Sequence, residues 1–305
     1  MLKLLYYIIF FIGLISFSQA KDFSVKNLEI NTKYPHFGLM QINSSRIVFT
    51  SYLLDKKGRV KRFEGNPILT VFEGDLSEDV DIINVTPIQI DPKQNISHIT
   101  SATISPDGKH IYLTTNYTRK NMPKGNFNEA NFHITVGEFK TGIGWTNFKV
   151  LPFCKLKYSY AHPALDNDGK TLYFTANIRG GKNTTRGGSD IFKVDLLADG
   201  TYSDPKNLSS KVNSYGREMF PFMSADNTLY FSSNRPNGFG GFDIYKSIMN
   251  RDGTFEKAEK LPPPINSKQD DFCFIIDSES KTGYFSSKRP EGKGDDDIYY
   301  FKHID

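Results

Sequence analysis

Thr228-Leu-Tyr-Phe-Ser-Ser233 decides how this chain folds, because it is written more than once. Thr171-Leu-Tyr-Phe-Thr-Ala176 precedes it, Thr282-Gly-Tyr-Phe-Ser-Ser287 follows it, and His110-Ile-Tyr-Leu-Thr-Thr115 keeps the same spacing upstream. Ile47-Val-Phe-Thr-Ser51 is a faint further copy. A period of this size marks a repeat architecture before any single motif is read. About 57 and about 54 residues separate Tyr173, Tyr230 and Tyr284, more than the roughly 40–50 of common propeller blades.

Each copy sits in the same local plan. An inner strand leads to an Asx or Gly turn: Pro106-Asp-Gly108, Asn167-Asp-Gly169 or Ala225-Asp-Asn227. Such residues supply the left-handed backbone that a hairpin turn needs. The Tyr strand follows, then a Gly-rich loop, then a third strand such as Phe242-Asp-Ile-Tyr-Lys246 or Asp296-Asp-Ile-Tyr-Tyr300. A second turn, Asp199-Gly200 or Asp252-Gly253, leads to a fourth strand ending at Leu208 or Leu261. This is a four-stranded antiparallel meander, and the Tyr register with its faint copy counts five of them.

The two ends of the chain fit together. The last unit stops after its third strand, at Phe301-Lys302, while Phe23-Ser-Val-Lys-Asn-Leu28 resembles the fourth-strand end Pro205-Lys-Asn-Leu208. Tyr34-Pro-His-Phe37 reads as the start of an inner strand, matched to Met219-Phe-Pro-Phe222. The sequence therefore predicts an all-β fold, a single closed β-propeller of about five blades over residues 21–305, with the N-terminal strand completing the last blade. Closure removes the free edges of an open array. A six-bladed ring or an open solenoid is the alternative.

Residues 1–20 read as a signal peptide. Lys3 gives the positive charge, Leu4 to Phe17 the apolar run, and Ser18-Gln-Ala20 a small-x-small cleavage site. Cleavage after Ala20 would export the chain, and no later stretch is apolar enough to span a bilayer. The expected location is the periplasm, with secretion or outer-membrane association as variants. Cys154 and Cys273 fall in different repeats and read as separate thiols. A formal charge of +4 on 305 residues, with the basic residues scattered, gives no case for nucleic acid.

Leu229-Tyr-Phe-Ser-Ser-Asn-Arg-Pro-Asn-Gly-Phe-Gly-Gly-Phe-Asp-Ile-Tyr-Lys246 resembles the WD40-like repeat called PD40 of TolB-type propellers. The Gly-Gly-x-Asp-Ile-Tyr form is most similar to periplasmic propellers of Bacteroidetes, which often also carry tetratricopeptide repeats and an OmpA-like domain. The resemblance covers roughly Ser97 to Lys302 and implies a protein-binding platform of the cell envelope. Neither additional module is present in this sequence, so peptidoglycan anchoring is not implied.

The repeated Gly-rich loops are the most conspicuous candidate site. Asn234, Arg235, Gly238, Gly240, Gly241 and Asp243 return as Lys288, Arg289, Gly292, Gly294 and Asp297, and as Asn177, Arg179, Gly180, Gly187, Gly188 and Asp190. One reading makes them internal ties, glycine for a tight loop and Arg and Asp for charge-assisted hydrogen bonds. The other has Asn177, Arg179, Asn234, Arg235, Phe239, Lys288 and Arg289 rim one face and grip an envelope or outer-membrane protein. No helix follows these loops to hold a phosphate. Asp270-Asp271 and Asp295-Asp-Asp297 read as solvated turn carboxylates, lacking the spacing of a calcium loop. His36, His98 and His162 lie near inner strands in different registers, which argues against a shared zinc. The sequence has no Gly-x-Ser-x-Gly, and Ser105-Pro-Asp-Gly108 lacks the Thr-Trp ending of a sialidase Asp-box.

These observations predict a protein without catalytic residues, cofactor or metal, acting as an exported binding scaffold. The alternative is a glycan-binding or glycan-cleaving propeller, which would need a pocket with paired carboxylates and a stacked aromatic. Glu218, Asp270 and Asp271 stand near strand starts where such a pair could form.

Overall fold

Turn chemistry and strand pattern produce the blades. The computed structural model describes residues 23–94, 96–116, 118–119, 122–123 and 131–304; the signal peptide expected over residues 1–20 lies outside them. Gly108, Gly169, Gly200 and Gly253 all take positive φ, as does Asn227, so each Asx–Gly pair turns the chain back where the sequence requires it.

Five four-stranded antiparallel sheets result. Blade one contains Phe37–Asn43, Arg46–Tyr52, Leu69–Leu76 and Ile82–Pro87. Blade two contains Ser101–Ile104, His110–Asn116, Phe132–Lys140 and Gly144–Val150. Blades three and four start on Tyr160–Leu165 and Glu218–Met223 and end on the two-residue outer strands Lys206–Asn207 and Glu259–Lys260. Blade five runs Asp271–Asp277, Thr282–Ser287, Asp297–His303 and then takes Phe23–Asn27 as its outer strand. That last pairing is antiparallel, from Phe23 opposite His303 to Asn27 opposite Tyr299. The all-β class, the five blades and the closing N-terminal strand are as the sequence predicts. One register differs: Phe37 and Met219 occupy the same place, opposite Thr50 and Ser232, so Phe37 corresponds to Met219 and not to Phe222.

The core lies between blades. Each second strand is buried on both faces, and its alternate side chains enter different cores. Leu229 and Phe231 pack with Tyr173 and Ile191 of blade three, whereas Tyr230 packs with Phe274 and Phe285 of blade five. Five such clusters go round the ring. The repeated tyrosines bury their rings, and two of them show where the hydroxyls go: Tyr284 Oη donates to Val80 O at 3.0 Å, and Tyr112 Oη lies 3.4 Å from Tyr202 Oη.

Backbone bonds lock each blade to the next. The amide at the start of one inner strand donates to the carbonyl at the start of the preceding blade's third strand: Glu218 to Ser189 (2.9 Å), Asp271 to Phe242 (2.8 Å) and His36 to Asp296 (2.6 Å). His36 thereby repeats across the seam the link made inside the chain.

Candidate functional site

The repeated residues of the Gly-rich loops are internal ties. Asp190, Asp243 and Asp297 open the third strands and are buried. Asp190 accepts from Arg186 N (2.9 Å), Asp243 from Phe239 N (2.9 Å), and Asp297 from Lys293 N. Gly187, Gly240 and Gly294 have no space for a side chain, because a Cβ would sit 1.9, 2.0 and 2.1 Å from Gly216 O, Gln269 O and Thr32 O. The glycines therefore let the next blade's incoming loop cross, beyond making the turn tight.

The arginines divide in the same way. Arg235 (16% side-chain exposure) pairs with fully buried Glu218 at 3.2 Å, and Arg289 (8%) with fully buried Asp271 at 3.1 Å. Their guanidinium groups also donate to Val212 O (2.6 Å) and to Pro264 O (2.6 Å), and lie over Tyr245 and Phe285 at 4.4 and 5.0 Å. Arg179 donates to Thr185 O (3.0 Å) and Gly187 O (2.8 Å) of its own loop. Asn234 Oδ1 accepts from Arg217 N at 2.7 Å. Phe239 stays 42% exposed at a loop tip, with Lys260 Nζ 4.0 Å from its ring centre.

Asparagines missed by the sequence analysis complete the frame. Asn213, Asn266 and Asn31 each hold the third strand of a blade through Ile191, Ile244 and Ile298, with both side-chain ends used and distances of 2.7–2.9 Å. Their signal was present: each follows Val or Ile and precedes Ser or Thr.

The inner strands converge on an axial channel that is pinched at mid-height. Strand register slips between Phe37 and Met40, Ala161 and Ala164, Met219 and Phe222, and Phe272 and Ile275. Each slip holds one residue at positive φ: Gly38 (65°), His162 (53°), Phe220 (50°) and Cys273 (54°). Three are not glycine, and such strain is retained where the surroundings dictate it. Phe37, Phe220 and Phe272 cluster with centroids 5.6–6.4 Å apart, and the His162 ring stacks on Phe220 at 3.7 Å. Burial drives the His162 imidazole down to about 3, so it is neutral. His36 and His98 pack elsewhere, against Phe49 and Phe132. Cys154 and Cys273 are free thiols, both raised by burial.

Below the neck is a cavity of about 240 Å³ lined by all five inner strands. Above it the mouth divides into two sub-pockets that share Phe37, Met219 and Phe220. The larger, about 430 Å³, carries Asn177, Ser159, Ser189 and Arg217. The smaller, about 250 Å³, carries Phe242, Phe272, Asp270, Lys288 and Asp296. Of the residues singled out in the loops, Asn177 and Lys288 reach this mouth; Arg235 and Arg289 do not line it.

The acidic runs are not simply solvated turns. Asp271 and Asp297 are internal, and the Asp296 side chain is only 11% exposed. Burial pushes Asp296 up to about 6 against the pull of Lys288, with Asp295 and Asp270 adding to the rise. Lys288 Nζ lies 3.4 Å from Asp295 and 3.7 Å from Asp296. Asp270 Oδ1 accepts from Phe242 N at 2.9 Å. The small sub-pocket thus combines two carboxyl groups, one ammonium and several phenylalanines.

No known protein-family profile matches this chain, and no curated protein matches it. Solved structures share its fold. Bacillus subtilis levansucrase is 9% identical, over 92% of this chain and 86% of that one, with a TM-score of 0.52. A thermostable family-43 glycoside hydrolase is 12% identical, over 92% and 93%, with a TM-score of 0.51. A putative TolB from Agrobacterium tumefaciens is 12% identical, over 93% and 98%, with a TM-score of 0.49. At these identities the likeness is one of fold alone. It nevertheless corrects one expectation. Repeats built of turn and strand residues do not argue against catalysis, because enzymes share this fold. Repetition describes the frame and leaves the mouth free to differ.

Proposed function

We propose that the upper mouth binds a saccharide and acts on it through Asp296 and Asp270. The observation that carries this reading is the Asp296 carboxyl, raised to about 6 in a phenylalanine-lined pocket that also holds Asp270. Glycoside cleavage needs such a pair, with environments that separate their roles. Protonated Asp296 gives its proton to the glycosidic oxygen as the C–O bond breaks. Asp270 takes a proton from the water that adds to the sugar carbon. Phe37, Phe220 and Phe272 offer an apolar floor for a sugar ring. The resemblance of the repeats to PD40 and the signal peptide expected over residues 1–20 support a location at the cell envelope as part of the same proposal.

The test is a panel of neutral and acidic oligosaccharides, read by product release and by calorimetry. Wild-type protein releases product, whereas Asp296→Asn and Asp270→Asn retain binding and lose turnover. Neither binding nor release on any member of the panel overturns the reading.

A second reading, docking of an envelope protein on the same rim, is favoured by two exposed aromatics. Tyr215 is 82% exposed with Arg186 5.0 Å from its ring centre, and Phe239 is 42% exposed. Rigid aromatic anchors of this kind are enriched at protein interfaces. Pull-down of crosslinked envelope proteins, lost on Tyr215→Ala with Phe239→Ala, is its signature.

A further inference from the structure

The internal ties fall where the repeats agree, so specificity is to be sought where they differ. The backbone fixes which positions correspond. Asn177 N donates to Ser159 O, Asn234 N to Arg217 O and Lys288 N to Asp270 O, which makes Ser159, Arg217 and Asp270 one structural position in three blades. The starts of the third strands likewise align Ser189, Phe242 and Asp296. At both positions the residue types are unrelated, and all six line the mouth.

These differences give the mouth a charge direction. The larger sub-pocket contains Arg217 among Ser159, Thr175, Asn177 and Ser189, with no carboxylate in its wall. Both mouth carboxyls stand in the smaller one, with Lys288 beside them. Arg217 also differs from the arginines singled out in the repeated Gly-rich loops. Arg179, Arg235 and Arg289 spend their guanidinium groups on carbonyls or buried carboxylates. Arg217 is exposed and is held by its backbone, through Asn234 Oδ1 and N. Among the described residues its guanidinium has neither an ion pair nor a hydrogen bond.

From this we infer that the saccharide carries a carboxylate, which Arg217 grips in the larger sub-pocket while the neighbouring linkage lies over Asp296 and Asp270. The inference rests on the saccharide reading and names its substrate class: an acidic sugar polymer. A planar guanidinium pairs with a carboxylate through two parallel hydrogen bonds. The surrounding hydroxyl and amide groups suit the sugar hydroxyls, and the shared Phe37 and Phe220 lie between the two sub-pockets.

The experiment compares an oligogalacturonate with its methyl ester, which keeps the sugar and removes the charge, by calorimetry at low salt. An oligosaccharide bearing sialic acid serves as a second carboxylate source. The variant is Arg217→Ser, which copies the residue that blade three carries at this position; its melting temperature provides the folding control. The expected result is that an acid form binds roughly tenfold or more tighter than its ester, and that Arg217→Ser abolishes the preference while still binding the ester. A galacturonate or sialate preference identifies the source of the carboxylate. Equal binding of acid and ester by wild-type protein, or a preference that survives Arg217→Ser, overturns the inference and leaves the saccharide reading standing. Binding of neither the acid forms nor the ester overturns the inference, and the saccharide reading falls with it only if the neutral members of its panel are also neither bound nor cleaved.

Discussion

Asn31 holds Ile298 across the seam of the ring, accepting from Ile298 N at 2.8 Å and donating to Ile298 O at 2.7 Å. The same clamp occurs within the chain at Asn213 on Ile191 and Asn266 on Ile244. Closure is therefore made with the chemistry that joins any two blades. Asn31→Ala leaves the buried Ile298 amide without its acceptor, while the Ile298 carbonyl keeps Leu28 N at 3.2 Å, a loss of about 1–3 kcal/mol. Urea unfolding measures it, and Asn213→Ala gives a loss of similar size. A much smaller effect at Asn31 would show that the seam is not held by this clamp.

Glycines in this fold separate by what surrounds them. At Gly240 a Cβ would lie 2.0 Å from Gln269 O, whereas at Gly253 it meets nothing within 4 Å. Gly253 has φ of 76°, so Gly253→Ala costs about 1–2 kcal/mol in backbone strain. Gly240→Ala forces two backbones apart, and it should cost clearly more or fail to fold. Parallel denaturant melts decide this; equal losses would mean that the crossing loops yield freely.

Much of the frame was legible because strand and turn chemistry leave fixed marks. The tyrosine register and the Asx–Gly turns give the blades, and the likeness of Phe23–Leu28 to Pro205–Leu208 gives the closure. Asn31, Asn213 and Asn266 were harder to find, since each is a single residue in a loop of varying length. The mouth was hidden for a different reason. A repeat is visible in a sequence through the residues its copies share, and Arg217, Asp270 and Asp296 occupy positions where the copies disagree. Burial also reversed the reading of the acidic runs, because adjacency in sequence does not show that Asp296 turns into a pocket while Asp271 meets Arg289.

Arg289 and Asp271 form a buried pair, so removing one partner exposes the cost of the other. Arg289→Ala leaves the Asp271 carboxyl buried without its cation, a loss of about 3–5 kcal/mol. Burial already raises Asp271, with Arg289 opposing the rise, and the variant raises it further. A carboxyl raised in the folded state is favoured when protonated, so its stability contribution is lost as pH rises. The damage from Arg289→Ala is thus greater at pH 8 than at pH 5. Thermal melts at the two pH values would refute this by showing equal losses.

Asp296 sets stability against function in the mouth. Its carboxyl rises from 3.8 to about 6 because it is buried beside other acids. The folded state therefore holds a proton that the unfolded state has released between pH 4 and 6, and stability falls as pH climbs through that window. Above it, the charged carboxyl costs about 2–3 kcal/mol. Asp296→Asn keeps the shape and removes the ionisation. It should unfold at a higher temperature than wild type at pH 7.5, and the fall in stability between pH 4 and 6 should become shallower. The same variant should lose turnover on saccharides, because asparagine has no acidic proton to give. A variant that is both more stable and inactive would mark Asp296 as retained for chemistry at a cost in stability. If it is instead less stable at pH 7.5, the pair with Lys288 outweighs burial, and Asp296 joins the internal ties of the frame.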